Sequence, residues 1–267
     1  MPRSLQQKPE PLSSSHGRTK HFVALVLSFS AGFVDIVGAL TVYDLFTAHV
    51  TGTTVRLGER LLERNWAAAA AAITIVGAFF AASVVGRLLI EAAERSGFRR
   101  IASVTFTLEA VLLLCIAAAG SRTLVVLPGT KPITLTFVLL AILASSMGLQ
   151  TASLSKIGPL TVHTTFLTGM LNKLAQVIAQ WFFDIYDFHF REKGSERLRH
   201  DIRRNTRRAV FFLSIWLLYL AGAMCGTWFV KWQQLRSLYL PCAILLVVIA
   251  VDQARPLSIE EEHESEE

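Results

Sequence analysis

An acid, a histidine and a run of hydroxyls, set close together near the beginning of the chain, are the residues best suited to chemistry. Asp35 lies in the apolar string Ala31-Gly32-Phe33-Val34-Asp35-Ile36-Val37-Gly38, followed by Phe46-Thr47-Ala48-His49-Val50-Thr51-Gly52-Thr53-Thr54-Val55-Arg56-Leu57. A degenerate second copy, Phe166-Leu167-Thr168-Gly169-Met170-Leu171-Asn172-Lys173-Leu174, comes in the second half, so both copies read Thr-Gly-x-x-x-(Arg or Lys)-Leu. Each follows a long apolar segment and sets hydroxyls and a glycine where a helix starts or breaks, with a cation one turn on. This is the pattern of a helix broken inside a membrane, where free backbone dipoles can hold a solute. Helix N-termini beside Arg56 and Lys173 favour an anionic solute. The substrate-binding set expected from the pattern is Asp35, His49, Thr51, Gly52, Thr53, Arg56, Gln150, Thr165, Thr168, Gly169 and Lys173.

Two acids, Asp35 and Glu109, sit within apolar segments. An unpaired carboxylate there costs several kcal/mol, so each needs a partner or a proton. They are expected either to carry coupling protons or to neutralise the cations; the plainer alternative is that the same acids and bases pair only to hold the bundle together. Thr51, Thr53, Thr54, Thr164, Thr165 and Thr168 divide in the same way between coordinating a solute and capping the half-helices. His49 and His163 precede the two Thr-Gly pairs at different offsets and lack the neighbouring ligands a metal site needs, so local hydrogen bonding is expected of them, and no metal or other cofactor. Cys115, Cys225 and Cys242 lie in apolar segments without CxxC spacing and read as packing residues. There is no GxSxG, HExxH or Walker-type loop, and no enzyme is expected.

The elements that must position these groups follow from composition. Of 267 residues, 52% are hydrophobic and only 17% charged, more apolar than a soluble domain of this length carries. The chain is therefore expected to be an all-α polytopic membrane protein, with about six transmembrane helices plus two re-entrant or broken half-helices in two internally similar halves. Residues 1–21 form a polar tail read as disordered, 22–251 a single transmembrane domain with halves 22–119 and 133–251, and 252–267 an acidic tail. The spans fall at about 22–43, 66–90, 101–119, 133–152, 209–230 and 238–251. Arg56, Glu59, Arg60, Glu63 and Arg64 keep the first Thr-Gly segment from crossing lipid, which favours a half-helix. If both Thr-Gly segments crossed, each half would hold four spans and the halves would be parallel.

The net charge of +6 gathers near the N-terminus and in the stretch 186–208, with Arg191, Lys193, Arg197, Arg199, Arg203, Arg204, Arg207 and Arg208. By the positive-inside rule that loop and both termini are cytoplasmic, and the charge reports topology rather than a nucleic-acid partner. No cleavable signal peptide is expected. In the second half Gly222-Ala223-Met224-Cys225-Gly226 lines up with Gly77-Ala78-Phe79-Phe80-Ala81, and such small-residue faces suit helix contact or a homodimer.

The string 31–38 followed by 46–54 resembles the opening of the bacterial YoaK-like membrane proteins, grouped as domain of unknown function 1275. Gly148-Leu149-Gln150-Thr151-Ala152 followed by Thr164-Thr165-Phe166-Leu167-Thr168-Gly169 resembles them too, and the likeness covers about residues 22–251. Thr53 stands where the family usually has an asparagine, and the insert 186–208 is longer than the family's pattern. The resemblance implies a polytopic inner-membrane protein and no established activity. From the residues, the expectation is a secondary transporter or permease for a small, anionic solute. The alternative is a non-transporting membrane protein whose basic loop binds lipid head groups or a protein partner.

Overall fold

The computed structural model describes residues 15–41, 45–97, 100–123, 133–154, 167–191, 195–254 and 257. The described elements are α1 (Ser15–Thr41), α2 (Val50–Leu62), α3 (Trp66–Arg95), α4 (Ile101–Thr123), α5 (Ile133–Leu154), α6 (Leu167–Phe190), α7 (Glu196–Gln233), a 3-10 turn (Gln234–Leu238) and α8 (Tyr239–Ala254). With no proline to break it, the apolar run of α1 continues for 27 residues, about 40 Å at the usual rise. Asn65, whose side chain accepts the Ala68 N–H at 3.3 Å, starts α3 directly after the turn that ends α2. Gln234, at φ 50°, takes the left-handed conformation that stops α7.

Four stretches are long and apolar enough to cross a membrane: Arg18–Leu40, Trp66–Arg95, Ala102–Ala119 and Glu196–Ala254, the last holding both α7 and α8; the apolar part of α5, Phe137–Ser153, is shorter. Their outer faces suit lipid, since Phe80, Leu88, Met224 and Leu246 stand well exposed. Among the described residues, α1 packs on α5, α5 on α4, α4 on α8 and α8 on α1, which closes a ring around a core of Leu27, Phe33, Phe106, Leu113, Leu143 and Met147. α7 flanks α1 and α3 flanks α5; α2 then lies on α3, and α6 on α7.

Contacts fix the helix directions. α1 and α7 run parallel, with His21 against Phe211, Phe29 against Gly222 and Phe33 against Gly226. α3 and α5 also run parallel, with Ala82 against Gly148 and Gly86 against Ala152. In both pairs a glycine lies under a carbonyl. A Cβ on Gly32 would fall 2.1 Å from the Tyr219 oxygen, and one on Gly148 2.4 Å from the Phe79 oxygen. Gly226 and Gly86, each seven residues beyond those carbonyls, repeat the close approach. α4 and α8 are antiparallel, with Ser103 bonded to Asp252 and Cys242 beside the Ala110 carbonyl. α6 and α7 are antiparallel as well, because Asp184 bonds Asn205 while Val177 shares a cluster with Phe212.

Several expectations change. α1 starts at Ser15, so part of the tail expected to be disordered is helix, and the basic loop 186–208 is largely the end of α6 and the beginning of α7. Charge set against a hydrophobic neighbour does not break a helix, and at 38 residues α7 spans about 57 Å, well beyond a hydrocarbon core of about 30 Å. The glycine alignment also shifts: Gly77 meets open space and Ala81 is exposed, whereas Ala82 and Gly86 carry the contact with α5.

Candidate functional site

Asp35 is the residue around which the first Thr-Gly segment is built. Its side chain is 2% exposed and accepts four hydrogen bonds. Oδ1 takes the Ala48 N–H at 2.8 Å and the Thr47 hydroxyl at 3.3 Å, and Oδ2 takes His49 Nδ1 at 2.6 Å and the Tyr219 hydroxyl at 2.8 Å. The glycines flanking Asp35 make this possible. Gly38 leaves room for the Thr47 methyl, 2.6 Å from where a Cβ would stand, and Gly32 admits the Tyr219 backbone. One tyrosine thus presses its carbonyl on α1 and hands its hydroxyl to the carboxylate one turn away. His49, at 39% exposure, links the buried acid to the surface and packs its ring against Phe46 and Tyr219.

The carboxylate holds the residues just ahead of α2, so it does what a cap would do. The expected capping by threonines is corrected here: His49 is the N-cap and makes no side-chain cap bond, Thr53 donates to the Phe46 carbonyl at 3.0 Å, and Thr54 donates to Val50 at 2.8 Å within the helix. Thr51 and Gly52 are exposed. Arg56 pairs with Glu59 at 2.8 Å on the outer face and so holds the Glu59 carboxyl below its ordinary range.

A second group of polar residues lies inside the ring. Ser153 donates to Thr105 at 2.6 Å, which sets α5 against α4; α4 turns back directly from α3, which runs parallel to α5, so α4 and α5 are antiparallel, and one turn along from that bond Glu109 and Gln150 reach the same level. Gln150 Nε2 reaches the Leu27 carbonyl at a long 3.5 Å, one turn ahead of Ser30. Both Glu109 oxygens, Gln150 Oε1 and Ser30 Oγ are buried without a hydrogen-bond partner among the described residues. Three ring helices thus bring unsatisfied polar atoms to one layer. Ordered polar ligands, water included, are what such atoms normally find.

Of the expected substrate-binding residues, then, Asp35 and His49 are in direct contact, Thr53 is buried beside them, and Gln150 lies in the layer with Glu109. Thr168, Gly169 and Lys173 stand on α6, which packs on α7 and, among the described residues, not on α1 or α2, and Thr165 lies outside the described residues. Tyr219 was not foreseen as a partner of Asp35; a lone phenol in an apolar helix is the signal that would have found it. Asp252, also missed, is fully buried and accepts from the Ser103 amide at 2.9 Å, from the Ser103 hydroxyl and from Leu257 N at 2.8 Å. It caps α4 from α8. No group of three or more metal-type ligands occurs among the described residues.

Comparison with known proteins bears on this arrangement. The profile of the family described as "Protein of unknown function (DUF1275)" matches residues 23–251. The chain belongs to this family. It is also similar to the UPF0700 transmembrane protein YoaK of Bacillus subtilis (strain 168), at 28% identity over 199 residues, 74% of this chain and 79% of that protein. No solved structure matches. The matched region runs from within α1 to within α8 and contains both polar groups.

Proposed function

We propose that this chain is a secondary transporter of the inner membrane for a small anionic solute, with six crossings, two half-helices and two inverted halves. The observation that carries the reading is where α2 and α6 begin. α2 starts beside Asp35, which bonds the Tyr219 hydroxyl. Continuing the register of Asp184 with Asn205 and Val177 with Phe212 puts Met170, in the first turn of α6, level with Tyr219 as well. From that shared depth α2 leads into α3, whereas α6 runs antiparallel to α7 toward its basic end. If α1 leaves the cytoplasm, α2 rises to the outside and α6 descends to the inside. α2, of 13 residues, and α6, of 24, thus start at one depth and point opposite ways, as do the broken helices among which inverted-repeat transporters hold their solutes.

Packing supports the same pairing. α1 against α7 and α5 against α3 use the same glycine-under-carbonyl contact, as inverted copies of one unit would. Each pair is closely fitted and the pairs meet in the ring, so rocking one against the other offers a route for alternating access. Glu109, buried with both oxygens unpartnered among the described residues, is the group that can carry a coupling proton within the ring.

The test is proteoliposomes loaded with a pH-sensitive dye and challenged with acetate, lactate, nitrate, sulfate and phosphate in turn. Solute-dependent proton movement in the wild type, lost in E109Q with the protein still folded, is the expected result. Absence of such movement across the panel, or an unchanged rate in E109Q, would overturn proton-coupled anion transport.

A further inference from the structure

A second polar cluster, remote from Asp35, lies where α6 crosses the basic beginning of α7. In the register that pairs Asp184 with Asn205, Trp181 comes level with Arg208, and Arg204 stands one turn away on α7. Trp181 Nε1, Arg204 Nε and Arg208 Nε are all buried donors without a hydrogen-bond partner among the described residues, although Arg204 also pairs with Asp201 at 3.0 Å through Nη2. Two guanidinium groups one turn apart repel each other, and here their unused N–H groups and an indole N–H are stranded at one helix crossing. These three N–H groups lack an acceptor, and beside guanidinium groups an anionic one binds best. Between the arginines sits Asn205, only 3% exposed, which gives its amide N–H to Asp184 at 2.7 Å and keeps an unpartnered Oδ1.

The next two turns of α6 add an apolar feature. Phe182, Phe183, Tyr186 and Phe190 are exposed and line a groove of about 530 Å³ with Ile185 and His189. Aromatic side chains beside arginines mark the depth of lipid head groups, where rings sit at the interface and cations reach phosphate. A free phosphate would use the donors and leave the groove empty. A phospholipid uses both.

We infer that the α6–α7 crossing is a binding site for an anionic phospholipid, whose phosphate accepts from Trp181, Arg204 and Arg208 while an acyl chain lies along the aromatic groove. Asn205 Oδ1 needs a donor, so a head group carrying hydroxyls, as in phosphatidylglycerol, satisfies the site better than phosphatidic acid. The Asp184 and Asp201 carboxylates, each already bonded, border the site and disfavour a second phosphate. None of this depends on transport.

The experiment is native mass spectrometry of the delipidated full chain, titrated with phosphatidylglycerol, phosphatidylcholine and inorganic phosphate. The wild type should retain phosphatidylglycerol at least tenfold better than phosphatidylcholine. R204Q/R208Q should lose that preference, and R203Q/R207Q, which removes equal charge from exposed positions of the same helix, should keep it. Equal loss in both double variants would mean diffuse charge attraction and would refute the site, as would displacement of the lipid by inorganic phosphate at equal concentration. If R204Q/R208Q does not remain monodisperse, R204K/R208K decides: it keeps the charge, removes the guanidinium donors, and should lower the preference several-fold, whereas an unchanged preference would refute the site.

Discussion

Asp35 offers a quantitative trial of the claim that one carboxylate fastens α1, α7 and the start of α2. In D35N the amide oxygen can keep the Ala48 N–H and the Thr47 hydroxyl, while its NH₂ faces His49 and Tyr219. Both of those can turn acceptor, the phenol by rotating and the imidazole by carrying its proton on Nε2. All four contacts survive and only their charge assistance is lost, a cost of about 1–3 kcal/mol. D35A leaves nothing to accept. The Ala48 N–H is fixed in buried backbone and the Tyr219 hydroxyl is buried, so two stranded donors and a cavity together cost about 3–6 kcal/mol. At about 2–4 °C per kcal/mol, D35A should lower Tm by about 6–24 °C and D35N by about 2–12 °C, the D35A shift being the larger. Unfolding in one detergent, in a background lacking Cys115 and Cys225 and followed through exposure of the buried Cys242 thiol to a fluorogenic reagent, reads both. Y219F sharpens the test, because it should cost about 1 kcal/mol in the wild type and nothing in D35A, where the hydroxyl is already stranded. A Y219F cost as large in D35A as in the wild type would refute the four-donor account.

Glycine substitutions separate contact from mere composition. G222A places a Cβ 2.0 Å from the Phe29 carbonyl oxygen and should prevent α1 and α7 from docking, whereas G77A meets open space and should leave Tm unchanged or slightly raised; size-exclusion profiles and Tm of the two variants check this. Single cysteines in a background without Cys115, Cys225 and Cys242 test the topology: a membrane-impermeant thiol reagent on intact cells should label E63C and not S96C, and the opposite pattern would reverse the proposed orientation. Because Arg56 holds Glu59 below the usual carboxylate range, any Tm difference between wild type and E59Q should be present above about pH 4.5 and close as pH falls through the lowered value. A difference that widens on acidification would contradict the pairing.

Much of the frame could be read from residue types alone. A membrane bundle follows from composition, and the charges of α2 foretell a short helix leading out of the apolar region. That Asp35 required partners was legible from its apolar setting; which partners was not, because Tyr219 is separated from it by 184 residues and no periodicity reports so distant a hydrogen bond. The failures have the same root. Gly77 and Ala81 have the spacing of a contact face, yet spacing does not say which face of a helix meets its neighbour, and α3 turns Ala82 and Gly86 inward instead. The basic stretch reads as a loop because loops carry topology charges, but arginine is a good helix former and α7 simply extends out of the apolar layer. Asp252 looked like the edge of an acidic tail until its place beside the start of α4 became visible.

The parallel docking of α1 on α7 sets a problem of timing. α3 can meet α5 once Gly148 has emerged, only 65 residues after Ser83, but the carbonyl that seats Gly32 and the hydroxyl that reaches Asp35 belong to a helix made near the end of synthesis. At about 5–20 residues per second, the 184 residues between Asp35 and Tyr219 take roughly 10–40 s to appear. For that interval α1 has an open glycine face and an acid that, of its four donors described above, has Thr47, Ala48 and His49 within reach. The short segment ahead of α2 thus serves the nascent chain as a temporary clasp, and variants that weaken it should reveal themselves first as poor insertion and early degradation, before any defect in the finished protein.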